Sequence, residues 1–144
     1  MSEIDLVSFI RSHRWAIEAT TSTTLEPQAA IIGIAVTDQL ELVFDTLASS
    51  RKVANLRANP RVALVIGGWN YNDPRTVQYE GVADFPSSAE LEPLKQVYFA
   101  TFPDAATRLS WPGITYVRVK PAWVRYSDFR SEPPVISELV FPSP

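Results

Sequence analysis

The chain has 144 residues, enough for one domain and too few for two ordinary ones. Hydrophobic residues make up 46% of it, so a real core can form, and a net charge of −3 argues against a general nucleic-acid or membrane-surface binder, which needs a basic field. The absence of cysteine excludes a disulfide scaffold and a thiolate metal site, and the single histidine, His13, argues against a multi-histidine metal site and a histidine triad relay.

Residues 3–12 read as a helix with Ile4, Val7 and Phe9 or Ile10 on one face, Ser2 as N-cap and Asp5 three residues on. Trp15 to Thr20 alternates as a first strand, and Thr21 to Glu26 is a polar turn. Pro27 opens a second extended stretch, Ala29 to Val36, apolar throughout and expected to be buried on both faces. After the turn Thr37-Asp38-Gln39, Leu40 to Asp45 is a third strand with Leu40, Leu42 and Phe44 on one face. Ser49-Ser50-Arg51-Lys52 leads into a short helix carrying Val53 and Leu56, which Asn59-Pro60 stops. Arg61 to Ile66 is a strand expected to be deeply buried, and Gly67-Gly68 and a polar aromatic loop from Trp69 to Pro74 follow. Arg75 to Asp84 is a long strand. Ser87-Ser88-Ala89-Glu90 has the form of a capping box for a helix bearing Leu91, Leu94 and Tyr98, with Pro93 in its first turns or at a kink. A helical piece to Leu109 follows the break at Phe102-Pro103-Asp104. Ile114 to Val119 and Ala122 to Tyr126 are two further strands joined through Lys120-Pro121. Residues 131–144, with Pro133, Pro134, Pro142 and Pro144, form a Pro-rich tail laid over the surface or across a partner, behind a domain spanning residues 1–130.

Six or seven strands with short connections and about three helices predict an α+β domain, an antiparallel sheet closed into a small barrel. The lack of cysteine fits a cytoplasmic setting, and the acidic start, Glu3 and Asp5, lacks the basic residues of a signal peptide. No apolar run approaches the roughly 20 residues of a membrane helix, so neither membrane nor nucleic acid is an expected partner.

The chemistry concentrates at Thr46-Leu47-Ala48-Ser49-Ser50-Arg51-Lys52, between a strand and a helix. A helix N-terminus presents free N–H groups and partial positive charge, and acidic side chains suit it. Here Arg51 and Lys52 work against the dipole, and no Asp or Glu occurs between Asp45 and Asp73. A phosphate resolves the conflict, taking helix N–H groups, hydroxyls from Thr46 or Ser50 and charge from Arg51 and Lys52. Equally, the same spacing describes a serine-capped helix with two cations in water.

The run Phe44 to Leu56, then Asn59-Pro60-Arg61-Val62-Ala63-Leu64, resembles the signature of the pyridoxamine 5′-phosphate oxidase-like family of FMN-binding split barrels. Gln78-Tyr79-Glu80-Gly81-Val82-Ala83 is similar to that family's strand ending in Glu-Gly-x-Ala, and Val119 to Tyr126 to the Pro-x-Trp closing strand of its shorter members. The resemblance covers roughly residues 5–130. It implies an FMN-dependent oxidoreductase acting on a small substrate, working as a homodimer with the cofactor at the subunit interface. By the same resemblance Arg51 and Lys52 hold the phosphate with Asp45, Thr46 and Ser50 beside them. The strand Gln28, Ala29, Ala30 and Ile31 faces the isoalloxazine ring, Thr76 stands at a position that reaches the flavin from the other subunit, and Trp123 is a flavin-edge contact or plain packing. Gln28 stands where the oxidase proper has an arginine, and Thr76 where the family often has a glutamine. The oxidase's C-terminal segment for pyridoxal phosphate has no counterpart in these 144 residues, which points away from pyridoxamine phosphate itself. A non-catalytic flavin-binding or sensor module and a deazaflavin-dependent reductase are the alternatives on this barrel. A haem protein ranks lower, with His13 the sole histidine. Trp69, Tyr71 and Trp111 are candidates for a pocket wall or for plain packing. Glu80 is expected in solvent, and no nucleophile or general-base pair stands out; with a flavin the cofactor carries that chemistry.

Overall fold

In the computed structural model, which describes residues 2–143, the first helix, α1 (Glu3–Arg11), begins with a closed capping box. Asp5 N–H donates to Ser2 Oγ at 3.2 Å, and Ser2 N–H donates back to Asp5 Oδ2 at 3.3 Å. Leu6, Val7, Phe9 and Ile10 turn inward from it. The side chain of Ile4 and all of Pro144 lie outside the described residues.

Eight antiparallel strands follow: β1 (Trp15–Thr21), β2 (Pro27–Gly33), β3 (Ala35–Val36), β4 (Leu42–Leu47), β5 (Arg61–Gly67), β6 (Arg75–Asp84), β7 (Ile114–Asp128) and β8 (Val135–Val140). Helix α2 (Arg51–Ala58) connects β4 to β5. Helix α3 (Ser88–Thr101) and a 3-10 segment (Pro103–Ser110) connect β6 to β7. The sheet runs β2-β1-β5-β6-β7-β4-β3, with β8 on β7 beyond the end of β4, and curls into a split barrel. Its inner face holds Ile32, Leu64, Ile66, Val77, Val117, Val119 and Val124. Tyr79 is fully buried among them, and its hydroxyl donates to the carbonyls of Leu40 and Val119 at 2.7 and 3.1 Å. That satisfies the one polar atom the ring brings into the core.

The α+β split barrel is as expected, and several details differ. The two closing strands are one strand. Pro121 is accommodated because it faces Gly81 across an irregularity of register at Glu80/Gly81, where no ladder hydrogen bond is required. A Cβ on Gly81 would stand 2.4 Å from the Lys120 carbonyl oxygen and 2.7 Å from Val119 Cγ1, so glycine is demanded there by close approach. Part of the tail is strand β8, paired with β7 from Trp123↔Val140 to Asp128↔Val135. The second extended stretch breaks after Gly33, and Leu40, at φ 61°, belongs to the turn before β4. The capping box at Ser87 does not form: Ser87 makes no side-chain cap bond, and Glu90 lies 3.7 Å from Arg118. Pro93 sits inside α3, in its second turn, on an exposed side.

Neither β2 nor β5 is buried on both faces. Both alternate, with Ala29 and Ile31, and Ala63 and Val65, turned outward. Through the registers Ile31↔Ile17↔Val65 and Ala29↔Ala19↔Ala63 these side chains share one exposed face.

Candidate functional site

The site is built where β4 delivers the chain into α2. Ser50 is the N-cap of α2: its backbone is extended, and its Oγ accepts from Val53 N–H at 3.4 Å and from Thr46 Oγ1 at 3.3 Å. The first turn carries no acidic residue. Val53 and Leu56 anchor the helix in the core, which leaves Arg51 exposed and Lys52 half-buried at its positive end.

Beneath those two cations lies a cavity of about 150 Å³ lined by Glu18 and Thr20 of β1, Gln28, Ala29 and Ala30 of β2, and Arg51 and Lys52. Asn55, one turn into α2 and 7% exposed, ties helix to strands. Its Nδ2 donates to Thr20 Oγ1 at 2.9 Å and to Gln28 Oε1 at 2.8 Å, which uses both of its protons. Glu18 is 2% exposed, and its Oε2 is buried with no hydrogen-bond partner. Burial raises its pKa, and the nearby charge of Lys52 opposes the rise. Two cations and a helix N-terminus over a small cavity fit a phosphate group, and Glu18 is the one acid among the lining residues.

Of the predicted residues, Gln28, Ala29, Ala30, Arg51 and Lys52 come together at this cavity, with Thr46 and Ser50 linked to each other at the start of α2. Four stand elsewhere. Asp45 is engaged: Tyr98 donates to its Oδ1 at 3.0 Å and Arg108 to its Oδ2 at 2.9 Å, so its carboxylate fastens α3 and the 3-10 segment to the end of β4. Ile31 points outward, 71% exposed, beside Trp15, Ile17 and Trp69. Thr76 donates weakly to the carbonyls of Ile66 and Gly67, and Trp123 Nε1–H donates to Glu138 Oε2 at 3.3 Å. His13 holds Phe9 O through Nδ1 at 2.8 Å, at the C-terminal end of α1. Trp69, Tyr71 and Trp111 are exposed. Sequence reasoning missed Glu18, Thr20 and Asn55. The available signal was Glu18 itself, an acid on the same strand face as Ala16 and Thr20.

A split antiparallel barrel with a cationic helix N-terminus over a polar cavity is the class these features define. A family model for pyridoxamine 5′-phosphate oxidase matches residues 3–128, and the chain belongs to that family. No curated protein matches. Among solved structures, a heme binding protein from Mycobacterium smegmatis is similar at 17% identity and TM-score 0.80, over 97% of this chain. The present chain spans 58% of that protein's length. A conserved hypothetical protein from Mycobacterium tuberculosis is similar at 28% identity and TM-score 0.75, over 90% of this chain and 86% of the other. A pyridoxamine 5′-phosphate oxidase-related, FMN binding protein from Nostoc punctiforme is similar at 15% identity and TM-score 0.68, over 97% and 95%. No helix among the described residues is long and apolar enough to cross a membrane.

Proposed function

We propose that this chain binds FMN by its phosphate and is an oxidoreductase for a small substrate, working as a homodimer. The observation that carries the reading is the start of α2. Arg51 and Lys52 flank a serine-capped helix N-terminus with no acid in its first turn, directly over a cavity of phosphate size. The FMN-binding relative from Nostoc supports it through a shared fold. Thr46 and Ser50 supply hydroxyls, and Arg51 and Lys52 charge-assisted hydrogen bonds. Gln28, whose oxygen is already held by Asn55, orients the strand behind the phosphate. When bound, the flavin supplies the hydride or electron transfer, and the protein supplies position and electrostatics.

The dimer is supported by the outward face of β1, β2 and β5. Ile17, Ile31 and Val65 are 40, 71 and 38% exposed there, next to Trp15 and Trp69. A contiguous apolar sheet face of this kind marks an association surface. Deazaflavin carries a phosphate as well, and the cavity accepts it on the same grounds. Visible absorption of the purified protein, before and after excess FMN and desalting, tests the reading. Flavin bands near one per chain are expected. A colourless protein that rejects FMN refutes the FMN assignment.

A further inference from the structure

The phosphate cavity contains a group that a phosphate site should avoid. Glu18 projects from β1 into the space under Lys52, between Ala30 of β2 and Leu64 of β5 in register. It is almost wholly buried, and its Oε2 accepts no hydrogen bond. An unpaired carboxylate out of water is strongly disfavoured. Asn55 Nδ2, beside the cavity, is committed to Thr20 and Gln28, and the Gln28 amide that lines the cavity gives Glu18 Oε2 no hydrogen bond. The charged groups lining the cavity with it are Lys52 and Arg51 of α2, and the polar side chains from β1 and β2, Thr20 and Gln28, are neutral. Lys52 is the cation whose charge opposes that cost, without a direct ion pair to Glu18 among the described residues.

A phosphate dianion entering this cavity takes Lys52 for itself and adds negative charge against the carboxylate. Two like charges in a water-poor site drive one of them to protonate. We propose that Glu18 takes up a proton from solvent as the phosphate ester binds, and that its carboxyl O–H then donates to a phosphate oxygen. One proton is gained, no covalent bond is made or broken, and the carboxyl becomes a donor that complements the anion. Glu18 is thereby the residue that couples ligand retention to pH. The inference rests on the cavity being the phosphate site.

The sign follows from linkage. Binding raises the pKa of Glu18, so affinity is full below its value in the free protein and falls as pH rises through its value in the complex. The phosphate's own second ionisation, at about 6, is largely complete by roughly pH 7.5, which separates it from uptake by Glu18.

Calorimetric titration with FMN at pH 7.5, in two buffers of different ionisation enthalpy, counts the protons directly. The wild type is expected to take up about 0.5–1 proton per FMN, and Glu18→Gln close to none. Raising the pH to 9 should weaken wild-type binding several-fold more than that of the variant. Equal proton uptake in both proteins, or none in the wild type, overturns the proposal while leaving FMN binding intact. FMN binding by neither protein overturns the cofactor reading and this one together. If Glu18→Gln fails to fold, the wild-type buffer series alone decides, since the absence of uptake is fatal by itself.

Discussion

Removing both cations at the start of α2 should separate binding from stability, because the two respond in opposite directions. Each charge-assisted contact to a phosphate contributes about 1.5–3 kcal/mol, so the pair Arg51→Ala and Lys52→Ala should lose about 3–6 kcal/mol of binding. That is a fall of roughly 10²–10⁴ in FMN affinity. Stability should move the other way. Arg51 is exposed and opposes the helix dipole, with no ion pair among the described residues to offset it. Its removal should add about 0.3–1 kcal/mol, or roughly 1–4 °C in Tm for a chain of this size. Lys52→Ala gains less, because Glu18 loses the cation that stabilises its charge. Quenching of flavin fluorescence gives the affinity, and thermal unfolding without ligand gives the stability. An unchanged dissociation constant refutes the phosphate assignment. Weaker binding with Tm several degrees lower refutes the separation, since the cations would then be structural.

Other substitutions test the frame around the site. Gly81→Ala places a Cβ against Lys120 O and Val119 Cγ1, so a loss of at least about 1–3 kcal/mol is expected in denaturant unfolding; a neutral outcome means the β6–β7 irregularity can relax. Asp45→Ala strands Arg108, whose side chain is 22% exposed, and leaves the Tyr98 hydroxyl without its acceptor. A loss of about 1–3 kcal/mol follows, discounted for the partial exposure of Arg108, with FMN binding reduced less than by loss of Lys52. Ile31→Asp with Val65→Asp should convert a dimer to a monomer in light scattering; a chain already monomeric as wild type rejects the dimer proposal.

The proposed phosphate cradle stands out in the sequence because it is local. Thr46, Ser50, Arg51 and Lys52 are neighbours in the chain, and a cationic helix start is a visible breach of the dipole rule. Glu18 and Thr20 reach the cavity from β1, and proximity of that kind is not written in spacing. A lone glutamate in a short strand reads as an outward residue, yet β1 alternates so that Ala16, Glu18 and Thr20 point in together. The strands themselves were clear. What failed was sidedness: Ala29, Ile31, Ala63 and Val65 make both faces of β2 and β5 apolar, and apolarity does not say whether the cover comes from the same chain. Pro121 suggested a break in β7 because the glycine that accommodates it, Gly81, is supplied by another strand.

The pairing of β4 has a consequence in time. Strands β1, β2, β5 and β6 can pair with one another as soon as residue 84 is available. Strand β4 must wait, because Leu42 pairs with Val119 and Leu47 with Ile114. At about 5–20 residues per second, a ribosome takes roughly 4–14 s to make the 70-odd residues between them. During that interval the Thr46–Lys52 run has no β7 strand to pair with. The start of α2, although encoded early in the gene, gains its strand support only when the second half of the chain arrives, so the proposed phosphate grip waits on residues 114–119.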